Sequence, residues 1–508
     1  MQRLDNNSLI YYYSTPWVRI DTPSLVYKGF TFKDYFYLFW RKMSFHMWEE
    51  TLDDLDVESQ PRSFIFNLPF LKDRIDSIIV YLIIFSSMLI LIIAIKFGLF
   101  QYWAEFLRSS KFLRLSTYPL LISAITVFSA LFLQTFLWLR YKPLAVREED
   151  QSIEWPFVSV IVSALNEEEL IGKSIDSIFS SNYPQDRMEV ICVNDGSTDM
   201  TFYYMMRAKQ KYGKRIKVIN FRKNLGKRKA LYVGNKKAKG EIVVTFDSDS
   251  KLGRNALRNL VYPLMNDPKT GAVSGRVAVL NEKENFLTRM LSVRYSISFD
   301  FGRAYQSVYG TVVCCPGALT AYRKYILDKL MCEFLHQTFM NAPCTHGEDR
   351  ALTTLILREG HYIKYQSNAV VYTTVPKKFG DMNKMYLRWT RSYIRESVFM
   401  AKFIFSRYRE KHRILPIIDF IFLNFLHPFH LFSLGIIAYS FAINPLFMIR
   451  HLAFLVISSF ILSLYYLRTN KSLAFLYGIP YGIITALFLW WIVPFSVVTM
   501  KNPSWVTR

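Results

Sequence analysis

Charged side chains are missing from two stretches near the start of the chain, 77–95 and 115–139. They are absent or scarce in three more near its end, 416–439, 446–467 and 472–500. In a helix rising about 1.5 Å per residue, about twenty such residues span a hydrocarbon core about 30 Å thick. The pattern therefore predicts transmembrane helices one and two within 76–140, and helices three and four within 415–467. The last block, in 472–508, is interrupted by Pro480, Gly482 and Pro494, which predicts a re-entrant or interfacial segment instead of a full crossing. Between these blocks, residues 152–378 alternate short β-rich runs, at 157–163, 188–194 and 241–246, with helix-length segments. That alternation predicts an α/β domain built on a mostly parallel sheet covered on both faces, inserted between transmembrane helices. In such sheets ligands bind where strands end.

Two flanking regions have their own pattern. Residues 1–75 form a polar, aromatic arm with Tyr11, Tyr12 and Tyr13 in a row and acidic Asp53, Asp54, Asp56 and Glu58. No apolar core in its first thirty residues marks a signal peptide. Phe32, Phe36, Phe39 and Met43 recur there at helical spacing beside Lys33, Arg41 and Lys42, a helix that either lies in the lipid interface or packs on the rest of the protein. In 379–414, Met382, Met385, Trp389 and Tyr393 are interleaved with Arg391, Arg395, Arg407 and Arg409, which predicts basic amphipathic helices on a membrane surface.

Composition narrows the class. A chain of 508 residues with 51% hydrophobic content is not largely disordered, and the apolar blocks exclude a purely soluble enzyme. The globular middle excludes a pure transporter or channel. With 63 Lys plus Arg against 40 Asp plus Glu, the net charge is +23, yet no zinc knuckle or ribonucleoprotein motif accompanies it. Anionic substrates beside an anionic lipid surface account for the charge without nucleic acid. The basic linker 468–471 predicts a cytosolic turn; the basic loop after the first apolar block argues mildly against the external position that a cytosolic domain imposes on it. Cys192, Cys314, Cys315, Cys332 and Cys344 contain no C-x-x-C pair, so neither a disulfide framework nor structural zinc is expected. Five thiols suit a reducing cytosolic face.

Three strand ends carry candidate chemistry. VSVIVSALNEEE, at 158–169, reads as a buried strand stopping at a polar turn, and VICVNDGSTD places Asp195 and Gly196 just past the next strand. A carboxylate there can accept from a base N–H, and glycine lets a ligand approach the backbone; either segment alone also reads as a turn with a helix cap. EIVVTFDSDS puts Asp247 and Asp249 at the end of an apolar strand, where alternate residues point the same way and two carboxylates can converge on one hard divalent cation. Such a cation keeps coordination sites for diphosphate oxygens and stabilises a departing nucleotide. Further on stand NLGKRKAL with Lys227, SVYGTVVCCPGALTAYR at 307–323, HGEDRALTTLILREGH at 346–361 and RWTRSYIRES at 388–397.

Over roughly residues 75–508 these segments resemble the processive inverting glycosyltransferases of family 2, the membrane synthases of hyaluronan, chitin and cellulose, with most similarity to hyaluronan synthases. The resemblance implies a GT-A-like domain. It assigns Asp195, with Gly196, to the uracil end of a UDP-sugar, Asp247 and Asp249 to nucleotide and to Mg²⁺ or Mn²⁺, and Asp349 to the general base. It places Lys227 and Arg388 at the diphosphate, Trp389 and Cys314 at the acceptor, and Glu348 beside the base on the acceptor side. Glu348 and Arg350 would push the proton affinity of Asp349 in opposite directions. The terminal Trp505, Val506, Thr507 and Arg508 resemble a W-G-T-R segment that closes over UDP, with Val506 in place of glycine. Met385 stands where the family's Q-x-x-R-W motif has glutamine. A terminus that touches UDP must be cytosolic, which is why four crossings are expected.

The leading expectation is a processive polysaccharide synthase of a plasma (inner) membrane, with a cytosolic catalytic domain. It would extend a growing polysaccharide acceptor and pass it through the bilayer, with accessory export subunits as further candidate partners. Similarity to hyaluronan synthases implies UDP-GlcNAc and UDP-GlcA; a chitin-type or other homopolymer synthase, or a single-addition transferase forming a glycolipid, are the alternatives.

Overall fold

The computed structural model describes residues 10–11, 85, 89, 96, 111–146, 153–168, 170–443 and 446–501. Most of the arm, nearly all of the block at 77–95, and the terminal Trp505, Thr507 and Arg508 lie outside these residues.

The strands run β1 (Ile10–Tyr11), β2 (Val158–Ala164), β3 (Met188–Asn194), β4 (Ile216–Phe221), β5 (Ile242–Asp247), β6 (Ser250–Leu252), β7 (Thr270–Val279), β8 (Leu319–Arg323), β9 (Thr338–Phe339), β10 (Ala342–Pro343) and β11 (Tyr362–Thr373). Nine of them form one sheet in the order β1-β4-β3-β2-β5-β8-β7-β11-β6, and β9 and β10 make a separate hairpin. β4, β3, β2 and β5 pair in parallel, as do β7 and β11. β8 runs antiparallel between β5 and β7, joining the two parallel blocks. The mostly parallel sheet read from the periodicity is therefore present, with β8 reversed inside it and the short strands β1 and β6 antiparallel at its two edges.

Buriedness explains the strand composition. Every residue of β3 is buried, and Val158, Val160, Ile161 and Val162 of β2 are at most 1% exposed, so both faces of these strands are covered instead of alternating between core and solvent. Helix Lys227–Lys237 packs on β2 and β3, while helix Ala256–Asn266 packs on β7 and β11. All the parallel strands that carry motifs thus end along one edge of a rigid core.

The apolar blocks form helices Lys111–Arg140, Ile414–Ile443 and Leu446–Asn470. Over the stretches whose side chains are described, no single helix is long and apolar enough to cross a membrane; Leu473–Phe488 and Ile492–Thr499 reach that standard only as a pair, bent by 53°. The break falls at 489–491, whereas Pro480, Gly482 and Pro494, the residues expected to interrupt the segment, lie inside the two helices. Helix Gly478–Phe488 crosses Leu446–Asn470 closely: a Cβ on Gly478 would lie 2.1 Å from Ser463 Oγ, and one on Gly482 would lie 2.0 Å from Ser459 Oγ. Small residues on both helices permit the approach.

A buried polar knot joins these helices to the domain. Asp419 accepts hydrogen bonds from Tyr309 (2.7 Å), Tyr305 (3.1 Å), Gln306 (3.2 Å) and, from helix Lys111–Arg140, Gln134 (3.3 Å). Four donors on two elements satisfy a carboxylate that its apolar helix could not hold alone.

Residues 379–414 depart from expectation. They contain one long helix, Phe379–Ala401, and its arginines do not line an outer surface. Arg391, Arg395 and Arg409 are buried, and only Arg407 of the four is exposed. Arg409 donates to the carbonyls of Tyr309 and Gly310 and to Thr311 Oγ1, because those groups need partners inside the fold.

Candidate active site

β2, β3 and β5 end beside one another, and β3 leads directly into Asp195. Its carboxylate is buried and already engaged: Oδ1 accepts from the Leu225 N–H (2.7 Å) and Oδ2 from the Gly226 N–H (3.0 Å). Burial pushes the Asp195 carboxyl upward, opposed by those two donors. Gly196 has φ +73°, and a Cβ there would meet Lys223 C at 2.3 Å and Asn224 N at 2.5 Å. The glycine expected to admit a ligand instead admits the chain's own 223–226 loop. Asp195 and Gly196 therefore brace the segment that delivers Lys227 to the first turn of its helix.

Lys227 is the hub. Its Nζ lies 2.6 Å from Asp247 Oδ1 and 3.4 Å from Glu348 Oε1, joining the end of β5 to the first turn of helix Glu348–Arg358. Burial alone would weaken its hold on a proton, but Asp247 and then Glu348 outweigh that and raise it above the ordinary lysine value. Gly317 makes the room, since a Cβ there would lie 3.1 Å from Nζ and 3.4 Å from Asp247 Oδ1. Asp249, half-buried, is two residues beyond Asp247 at the same strand end. Among the described residues no cluster of three or more His, Cys, Asp or Glu side chains could hold a metal ion. Asp247 and Asp249 are hard oxygen donors that could hold a cation only if its other ligands came from phosphate and water.

Glu348 and Asp349 are adjacent but electrostatically opposed. Burial disfavours ionising Glu348, yet Lys227, with Arg388 and Arg228, more than compensates and holds its carboxyl below the usual range. Burial and then the charge of Glu348 push Asp349 upward, against Arg350. The Cys314 thiol lies 3.7 Å from Asp349 Oδ2, while the Cys314 carbonyl accepts from Arg303 Nε at 2.9 Å. The Cys315 N–H donates to Thr353 Oγ1 (3.0 Å), pinning the 307–323 segment against the same helix.

The far wall comes from helix Phe379–Ala401. Arg388 is half-buried and within electrostatic reach of Glu348 and Tyr295. The Trp389 ring packs 5.9 Å from Tyr295 and edge-on 5.7 Å from Tyr386, centroid to centroid. Met385 is buried against the Tyr295 hydroxyl, 3.9 Å from its sulfur, so the site holds a thioether where the family motif has an amide. The structure thus brings together Lys227, Asp247, Glu348, Asp349 and Cys314. Gly317, Tyr295 and Arg303 were not singled out in the sequence, where no spacing marks them as neighbours.

A mostly parallel sheet whose strand ends present a lysine-linked set of carboxylates is the arrangement of a GT-A-like glycosyltransferase domain. The family model described as Glycosyl transferase family 2 matches residues 159–331, from β2 through most of helix Lys324–Leu335. The matched stretch is the one that carries Lys227, Asp247 and Cys314. The chain is 31% identical over 284 residues to an N-acetylglucosaminyltransferase of Rhizobium meliloti, covering 56% of this chain and 65% of that protein. It is 33% identical over 245 residues to one of Mesorhizobium japonicum, covering 48% and 57%. The chain spans about half to two thirds of the length of the curated relatives it matches. Among solved structures, a mannosyltransferase of Pyrobaculum calidifontis in complex with GDP-Man and Mn²⁺ aligns with TM-score 0.48 and 22% identity, over 72% of this chain and 98% of that one. S. aureus TarS 1-349 in complex with UDP-GlcNAc aligns with TM-score 0.34 and 19% identity, over 49% and 73%.

Proposed function

We propose that the protein is a membrane-embedded inverting glycosyltransferase that moves N-acetylglucosamine from UDP-GlcNAc onto a growing chitin-type chain. The names of the relatives favour this homopolymer reading over the hyaluronan-type reading that the sequence put first. The observation that carries it is the split pair: a half-buried Asp349 with raised proton affinity, one residue from a Glu348 kept ionised by Lys227, at the end of the β5 carboxylates.

One displacement accounts for the transfer. An acceptor hydroxyl loses its proton to Asp349 as its oxygen attacks the anomeric carbon, and the bond to UDP breaks on the opposite face with its electron pair leaving on the diphosphate. The configuration inverts. Asp247 and Asp249 would hold Mg²⁺ or Mn²⁺, which supplies charge neutralisation of the leaving diphosphate. Lys227 moves from Asp247 toward the same phosphates, as a flexible ammonium can. Cys314 and Trp389 wall the acceptor.

Membrane insertion draws support from the helix surfaces. Phe128 and Phe132 are 68% and 79% exposed on helix Lys111–Arg140, and Val498 is 82% exposed on Ile492–Thr499. A belt of large apolar side chains this open calls for lipid.

Asp349→Asn tests the reading. It keeps the shape but removes the base, so transfer falls by at least about 1,000-fold while UDP binding, measured by calorimetry, stays within about twofold. Transfer at the wild-type rate would sink the assignment.

A further inference from the structure

The Arg-Trp element is followed by a second pair, Arg395 and Glu396, that the reading above leaves without a task. Both are buried, 2% and 5% exposed, on helix Phe379–Ala401. Arg395 Nη2 donates to the carbonyl of His346, and its Nε donates to Glu396 Oε1 at 3.3 Å. The same Glu396 oxygen accepts from Gln337 Nε2 at 3.3 Å. Gln337 and His346 stand at the two ends of one loop, which the Cys344 N–H closes onto the Gln337 carbonyl at 3.0 Å. Arginine and glutamate thus grip both ends of the segment that delivers Asp349.

The grip leaves no slack. Gly347, the residue before the base helix, has φ +74°, and a Cβ on it would lie 2.5 Å from Ser392 Cβ and 2.8 Å from Arg395 Nη2. The backbone turn that aims the helix is moulded directly on one face of Phe379–Ala401. That face also carries Arg388 and Trp389 about two turns earlier, and Arg391 ties it to Thr499 Oγ1 at 2.9 Å. A buried ion pair is a weak route to stability, since apolar replacements of equal volume are often neutral. Its geometric constraint is the stronger effect.

We propose that Arg395, locked by Glu396, is a positioning residue that sets Asp349 against the acceptor hydroxyl. The inference rests on Asp349 being the base. A displacement of about 1 Å at a reacting group costs about 100-fold in rate, so the phenotype is a rate loss without a binding loss.

The experiment uses the full-length protein in lipid, comparing Arg395→Met, Arg395→Lys, Gly347→Ala and Asp349→Asn for kcat, donor KM and UDP affinity. Arg395→Met is expected to lower kcat about 10- to 100-fold with donor KM and UDP affinity within about twofold. Arg395→Lys recovers part of kcat, because an ammonium still donates to the His346 carbonyl. Gly347→Ala disturbs the turn from the opposite side, its Cβ meeting Ser392 and Arg395 Nη2 while the Arg395 and Glu396 side chains are both kept, and gives the same selective loss, which keeps the inference testable should Arg395→Met not fold. Wild-type kcat in folded Arg395→Met or in Gly347→Ala overturns it, as does parallel loss of kcat and UDP affinity. If Asp349→Asn is silent while Arg395→Met is fully active, positioning alone fails; if Asp349→Asn transfers normally, the base assignment fails first.

Discussion

Glu348 and Asp349 share a helix turn, yet one is held ionised and the other pushed toward its proton. The difference is Lys227, whose Nζ reaches Glu348 Oε1 at 3.4 Å and leaves Asp349 to feel its neighbour's charge. Transfer should accordingly fall with acid at a pH above the ordinary Asp range, as Asp349 takes up its proton. His346 gives a separate test. Burial, then Arg395, lowers its imidazole to about 4 from 6.5. A lowered folded value contributes stability above the unfolded value, lost as pH falls through the folded one, and this shift is worth about 3 kcal/mol. Between pH 7 and pH 4 the wild-type Tm should drop more steeply than that of His346→Gln; parallel curves would show that the imidazole is not held neutral.

Strands and their ends were legible because continuous apolar runs bounded by polar turns leave few alternatives. The runs at 188–194 and 241–246 became β3 and β5 within one residue. What a strand end touches was not legible. Asp195 and Gly196 sit where the motif predicted, but their neighbours come from 223–226, about thirty residues on, and no local pattern announces that contact. The arginines of 379–414 misled for a related reason: amphipathic spacing marks a buried face without saying whether lipid or protein covers it. Met385 was visible as a departure, though only the structure shows it packed on Tyr295. Gly196→Ala probes this loop. A side chain at φ +73° with backbone 2.3 Å away should cost about 3 kcal/mol and lower kcat/KM about tenfold by displacing Lys227. An unchanged Tm and rate would mean that the loop does not depend on the close approach.

At the scale of the whole molecule, a positively charged α/β domain is fastened to apolar helices through Asp419 and its four donors. The open Phe128, Phe132 and Val498 side chains predict behaviour in bulk: the protein should remain in the membrane pellet through an alkaline carbonate wash and leave it only with detergent. Release by carbonate alone would contradict insertion. The central claim is the transfer of one sugar, N-acetylglucosamine, to a chain of its own kind. Its most direct test is product formation by the purified protein in lipid with Mg²⁺ or Mn²⁺, supplying UDP-GlcNAc and UDP-GlcA separately and together, followed by digestion with chitinase and hyaluronidase. The account predicts a chitinase-sensitive product from UDP-GlcNAc alone; a product formed only from the pair, and cut by hyaluronidase, would contradict it.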